Sequence, residues 1–227
     1  MNWRSSRIDY RNRVLAQSDD ASAEQYDTRV GSLGREDEDA ILSDLGRVFT
    51  FRDGMAVLDV GAGTGTMSKL LTRLGGLSMT ALEPSRAMLS RLRGKPGLEE
   101  LRIVEGFCDA PEDRTHFLEG QFDVILSRQL GNELFDPLAA FENWFYWLSP
   151  GGSVLLIDGL YDRPAWAGDR EEEINLLPLS VHQTTALVPY LLEAAGFQIA
   201  AVEMMEATND MPSTRTTRYV VIATKTA

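Results

Sequence analysis

The stretch Val57-Leu58-Asp59-Val60-Gly61-Ala62-Gly63-Thr64-Gly65-Thr66 decides the fold. Its first four residues are mostly apolar and read as a short buried strand. Three glycines follow at alternate positions. A helical pattern begins at once, with Met67, Leu70, Leu71 and Leu74 at i, i+3, i+4 and i+7. Glycine allows positive φ and lets a ligand approach the main chain closely. The helix N-terminus beyond it offers unpaired N–H groups and the positive end of a dipole. Strand, tight turn and helix together predict a cradle for a nucleotide or nucleoside.

The spacing narrows the ligand. A dinucleotide fingerprint is G-x-G-x-x-G, whose third glycine packs helix against strand. Here the pattern is G-x-G-x-G, and Thr66 stands where that third glycine would be. The next predicted strand, 77–82, runs into Glu83, 22 residues beyond Gly61 (83 − 61). A carboxylate at that strand end can accept hydrogen bonds from both ribose hydroxyls. The adenosine half of a ligand is therefore supported, and a pyrophosphate is not strongly supported.

With 227 residues, 44% hydrophobic and 25% charged, the chain fits one soluble globular domain. No apolar run approaches the roughly 20 residues that span a bilayer, and the basic start lacks the apolar segment of a signal peptide, so no membrane association is expected. One cysteine, Cys108, cannot form an internal disulfide, which fits a reducing, cytoplasmic setting. A net charge of −12 argues against nucleic acid, whose phosphates are met by Lys and Arg. A small-molecule partner is the default. The run Glu36-Asp37-Glu38-Asp39 reads as acids complementing a helix dipole, and no metal site is expected.

Residues 1–34 read as polar and irregular, with a weak helical pattern over 10–15, a break at 18–22 and a short helix over 23–30. A clearer helix spans 35–49 on the apolar stripe Ile41, Leu42, Leu45, Val48 and Phe49. Ser85 caps a helix that Gly94 and Pro96 stop. A third strand, 101–105, leads to Gly106-Phe107-Cys108-Asp109-Ala110. The fourth, 122–127, is nearly all apolar, as a parallel strand covered on both faces should be. Asp136-Pro137 starts a helix whose buried face is read as Leu138, Phe141, Phe145 and Leu148. Ser149-Pro150-Gly151-Gly152 ends it, and a fifth strand closes in Asp158. Residues 159–180 are long and aperiodic, as lids and binding loops are. Pro189 is tolerated only in a first turn, so the next helix starts near Thr185 or Ala186. Strands 197–204 and 218–225 leave too little chain between them for a crossover helix and should pair antiparallel.

Residues 57–66 with Glu83, followed about 90 residues later by helix, Leu-x-Pro-Gly-Gly and strand, resemble the class I S-adenosylmethionine-dependent methyltransferases, over about 26–225. The resemblance implies an α/β three-layer sandwich. Its mostly parallel seven-stranded sheet has the last strand antiparallel, with a helical cap over 1–52 and a core over 53–227 that carries the 159–180 insertion. It implies S-adenosyl-L-methionine as cofactor, leaving S-adenosyl-L-homocysteine. Gly61, Gly63 and Gly65 would cradle the methionine part, Glu83 the ribose, and Asp109 with Ala110 the adenine. Asp59, Ala62, Pro84 and Ser127 complete the cofactor-binding set. From its sequence alone, Asp109 could instead cap the helix at 112–118. His182 is the leading base, given a histidine's pKa near neutrality; a ring bonded to backbone is the alternative. Asp158 and Glu133 are lesser candidates. Arg128, Tyr26, Glu133, Tyr161 and Trp166 are expected near the acceptor, and Arg128 and Arg163 could hold its carboxylate or phosphate. After the fourth strand stands Ser127-Arg128-Gln129-Leu130, unlike the Asp/Asn-Pro-Pro-Tyr/Phe of methylases acting on nucleic-acid amino groups. The expected function is methyl transfer to a small molecule by a monomer or homodimer. A cofactor-binding regulatory protein and a nucleotide-dependent oxidoreductase are the rivals.

Overall fold

The computed structural model describes residues 3–162 and 171–226. Its centre is β1 (Ala56–Val60), which pairs in parallel with β2 (Ser78–Glu83) on one side and β4 (Phe122–Arg128) on the other. Outside β2 lies β3 (Arg102–Glu105), and beside β4 lies β5 (Leu148–Gly159), both parallel. The reversed strand β7 (Arg218–Thr224) pairs antiparallel with β5 and with the edge strand β6 (Gln198–Met204). The order is β3-β2-β1-β4-β5-β7-β6. The order in which strands are added reverses between β1 and β4, and such a switch point opens a crevice at the carboxyl ends of the strands.

Alternation along each strand sends side chains to two cores. Leu58, Val60, Ile125, Leu156 and Val221 belong to one, closed by α6 (Pro137–Trp147) and the helix Leu187–Ala194. Val57, Val124, Leu126, Leu155 and Ile157 belong to the other, under α3 (Arg35–Val48) and α4 (Thr66–Leu71). A smaller cluster of Ala81, Leu89, Leu92 and Leu98 lies beneath α5 (Arg86–Arg93). The predicted start signals operate: Ser85 Oγ accepts from the Met88 N–H, and Asp136 from the Ala139 N–H at 3.0 Å. Among the described residues no helix is long and apolar enough to cross a membrane.

Four readings need correction. The N-terminal segment is not irregular: α1 (Trp3–Gln17) is a full helix, and α2 (Asp20–Tyr26), capped by Asp19, runs on into a π-helical turn, Asp27–Gly31. Leu74 does not continue the α4 stripe, because the helix tightens to 3-10 geometry at Thr72–Leu74 and turns Leu74 to solvent. Of the face expected for α6, Phe141 and Leu148 are fully buried but Leu138 and Phe145 are only half-buried, and Ala140, Trp144 and Trp147 fill the core in their place. In the stretch read as a lid, the part after 170 is anchored instead: a short helix, Glu171–Ile174, precedes buried Ile174, Leu177 and Leu179.

Candidate active site

The glycine loop leaves β1 at the switch point. Gly61, Gly63 and Gly65 all take positive φ, at 70°, 55° and 86°. A Cβ on Gly61 would come within 2.9 Å of Leu130, and one on Gly65 within 2.9 Å of Leu92. Those two positions are closed by packing. At Gly63 the nearest group is the Tyr26 ring at 3.7 Å, so this residue faces the cap. Beneath the loop, Asp59 accepts the Ser68 hydroxyl at 2.7 Å, and burial pushes its carboxyl up to about 6. The Ser127 hydroxyl donates to the Val60 carbonyl at 3.0 Å, and the Gly61 and Ala62 N–H groups donate to the Leu82 carbonyl. Asp59, Ala62 and Ser127 thus brace the cradle from inside.

Glu83 ends β2 beside this loop. Its carboxylate accepts the Gly63 N–H at 3.0 Å on one oxygen and the Ser85 N–H at 2.9 Å on the other, straddling Pro84. A carboxylate has about four lone-pair positions, so two remain for a ligand. Burial drives the Glu83 pKa up to about 7, against the two N–H donors that favour the ionised form.

Asp109 does not cap the 3-10 turn Pro111–His116 that follows it. It accepts from the Arg11 guanidinium of α1 on Oδ1 and from the Phe135 N–H at 2.9 Å on Oδ2. Arg11 also reaches Asp113 and lies over the Phe107 ring, 4.5 Å from its centroid. Next to Asp109, buried Ala110 is held through its carbonyl by the Asn143 side chain at 2.7 Å. Its N–H has no protein partner among the described residues.

On the cap side of the sheet lies a cavity of about 960 Å³, whose wall includes Tyr26, Arg128, Gln129 and Arg218. Small-molecule sites span roughly 300–1,000 Å³, so this one is large enough for an acceptor. Tyr26 belongs to this wall and also covers Gly63, which joins the cradle to the cavity. Gln129 is held at φ 58°, a conformation rare for a side-chain-bearing residue, and its N–H donates to the Ile157 carbonyl at 2.8 Å. Strain of this kind concentrates at functional sites. Tyr161 is buried behind the wall, its hydroxyl accepting from Arg218 Nη1 at 2.9 Å. Asp158, fully buried at the end of β5, accepts the Gly159 N–H, and burial pushes its carboxyl up to about 7.

Two expected residues sit elsewhere. His182 is buried against Tyr219 and is not on the cavity wall. Burial lowers its pKa, against the Thr184 backbone amide, which raises it, although neither ring nitrogen makes a hydrogen bond of good geometry among the described residues. Glu133 is occupied by the cap: the Tyr10 hydroxyl donates to its carbonyl at 2.8 Å and approaches Oε2 at 3.3 Å. Trp166 and Arg163 lie outside the described residues. The sequence reading passed over Arg11, Asn143 and Arg218 as site residues. Arg218 had a signal. It opens a strand expected to run antiparallel, which brings its amino end to the edge where the other strands have their carboxyl ends, opposite Gly159.

A family model described as a methyltransferase domain matches residues 34–202, from α3 through most of β6. The chain belongs to this methyltransferase family. The sheet order, with its single reversed strand, is that of the class I, S-adenosylmethionine-dependent fold. Among curated relatives, phosphoethanolamine N-methyltransferase 1 of Triticum aestivum is 33% identical over 109 residues, covering 46% of this chain and 21% of that one. The ubiquinone biosynthesis O-methyltransferase of Xanthomonas campestris pv. campestris is 32% identical over 105 residues, covering 45% of this chain and 42% of the other. The chain thus spans less than half the length of these relatives. Phosphoethanolamine N-methyltransferase 2 of Haemonchus contortus, solved with S-adenosyl-L-methionine, superposes with a TM-score of 0.69 at 18% identity, over 93% of this chain and 58% of that one. That likeness is one of fold.

Proposed function

We propose that this chain transfers the methyl group of S-adenosylmethionine to a small organic acceptor. The observation that carries the reading is Glu83. It stands at the mouth of the glycine loop, fixed by two backbone N–H groups and with room for two more hydrogen bonds, in a chain that matches the methyltransferase family. The residues present suit the cofactor. Glu83 would accept the two ribose hydroxyls. The buried Ala110 N–H, without a protein partner, would donate to an adenine nitrogen beside Asp109. The loop at 61–65 would pass close to the methionine part. Bound there, S-adenosylmethionine supplies an electrophilic methyl group on a sulfonium sulfur.

The protein's own contribution is position and exclusion of water. Tyr26 lines the cavity and lies against Gly63, and so would sit where the acceptor atom meets the methyl group. Tyr26 of α2 lies against Gly63 and Arg11 of α1 reaches Asp109, so the cap would lie over the bound cofactor. His182 is not on the cavity wall, which favours a transfer driven by alignment over one that needs this histidine as base.

Thermal stabilisation tests the reading. S-adenosylhomocysteine at about 100 times its dissociation constant should add roughly 2.7 kcal/mol, whereas NADH should add nothing. A shift with NADH alone would remove the methyltransferase reading. Tight binding without transfer to any member of a broad acceptor panel would instead mark a cofactor-binding regulator.

A further inference from the structure

The cavity collects arginines in a chain that is short of them. The sequence has 22 Lys and Arg against 34 Asp and Glu. Yet Arg29, Arg128, Arg215 and Arg218 all line this one cavity, and among the described residues its wall carries a single acid, Asp37. That acid is already engaged, by the Ser213 hydroxyl and by the Gly34 N–H at 3.3 Å. No ion pair of the described residues involves Arg29, Arg128, Arg215 or Arg218. Arg218 is steadied by a neutral group instead, the Tyr161 hydroxyl at 2.9 Å.

Arg128 is the most confined of the four. Burial lowers its pKa and the neighbouring Arg218 charge acts in the same direction, opposed by Tyr26, Tyr161 and the buried Asp59. A guanidinium does not shed its proton in a protein. The buried Asp59 and Asp158 act on Arg128 and Arg218 through space, but among the described residues no carboxylate pairs with either guanidinium, and an anion in the cavity would supply that partner. The guanidinium fork matches a carboxylate or a phosphate with two parallel hydrogen bonds.

We infer that the cavity is an oxyanion subsite, in which Arg128 and Arg218 grip a carboxylate or phosphate group carried by the acceptor, with Arg215 and Arg29 at the mouth. This rests on the methyl-transfer reading for what happens next, but not for the binding itself. Tyr26 shares the cavity wall with these arginines and covers Gly63, so an acceptor anchored by its anionic end projects its other end toward the glycine loop. The net charge of −12 repels anions at long range. Recognition must therefore come from this local cluster.

Titration calorimetry on the whole chain tests it, with inorganic phosphate, benzoate and the neutral isostere benzamide as probes. Wild-type protein should bind phosphate or benzoate saturably and benzamide not at all; which of the two anions binds tells a phosphate site from a carboxylate site. Arg128→Gln should weaken that anion by about tenfold or more, and Arg215→Gln, at the mouth, by a smaller factor. Arg215 is exposed and makes no ion pair among the described residues, so its variant keeps the fold intact if Arg128→Gln does not. Benzamide binding as well as benzoate would overturn the proposal, as would anion binding indifferent to both substitutions. S-adenosylhomocysteine is titrated in parallel. If it fails to bind while the arginine-dependent anion binds, methyl transfer falls and the oxyanion subsite stands. If it binds and no anion does, the subsite falls alone.

Discussion

Glu83 shows how one side chain can couple fold, pH and ligand. Burial raises its carboxyl to about 7 in the folded chain, from an ordinary value of 4.5. For an acid shifted upward, the folded state binds the proton more tightly than the unfolded one. Its contribution to stability is therefore greatest below the unfolded value and is lost as pH rises through about 7. Ribose hydroxyls need the ionised carboxylate as acceptor, so S-adenosylhomocysteine should release a proton on binding and bind progressively more weakly below about pH 7. Calorimetry in two buffers of different ionisation enthalpy would read that proton. Glu83→Gln should lose both the proton release and the pH slope, with affinity down by about tenfold. An unchanged slope in the variant would assign the effect to Asp59 or Asp158, whose pKa values are also raised by burial. The role expected of Glu83 was legible because it depends on spacing within one strand–loop–helix–strand unit. The partner of Asp109 was not. Arg11 lies 98 residues away in the chain, and no local pattern links the two.

At the scale of elements, α1 is held in an unusual way for a helix docked on a core. Its apolar positions make no continuous stripe. Its attachments are polar: Arg11 to Asp109 and Asp113, Arg7 to Glu112, and the Tyr10 hydroxyl to Glu133, with the Tyr10 ring 5.8 Å from that of Phe135. That is why the sequence read as irregular there. Periodicity reports burial of apolar faces, and this helix buries charge. By contrast α3, α5 and α6 carry apolar faces or caps and were found close to their true limits. Even in α6 only part of the buried row is read correctly, because Trp144 and Trp147 take the inward positions and leave Leu138 and Phe145 half-buried. The polar docking makes α1 the element most sensitive to salt. Raising ionic strength to about 0.5 M shortens the reach of charge to a few ångströms, and Arg11→Ala leaves Asp109 and Asp113 close together without their shared cation. Either change should expose the α1–α2 junction near Ser18 to limited proteolysis well below the global unfolding transition. The variant should lose about 1–3 kcal/mol. Cleavage that stays as slow as in the wild type would show that Tyr10 and Phe135 hold the helix unaided.

At the scale of the whole molecule, the two cores share every central strand. Val57 and Leu58, or Val124 and Ile125, are neighbours in the chain yet point to opposite cores. Neither helical layer can leave without stripping a face from strands that also carry the other. The same sharing fixes the site. The cradle after β1, Glu83 after β2, Arg128 at the end of β4 and Arg218 at the reversed start of β7 meet at one edge only while the register across the sheet is kept. Sequence patterns show all seven strands, but not which side chains the sheet order brings together across that edge, because the order is set by long-range pairing. Phe141, fully buried on α6, tests this coupling. Phe141→Ala should lower stability by about 3–5 kcal/mol through lost burial and the cavity left behind. The loss should appear as a single shifted transition, with tryptophan fluorescence and far-ultraviolet circular dichroism coinciding in urea. Two separated transitions, with fluorescence lost first from Trp144 and Trp147, would mean that the α6 face unfolds on its own. The site at the strand ends would then depend on the α3–α4 face alone.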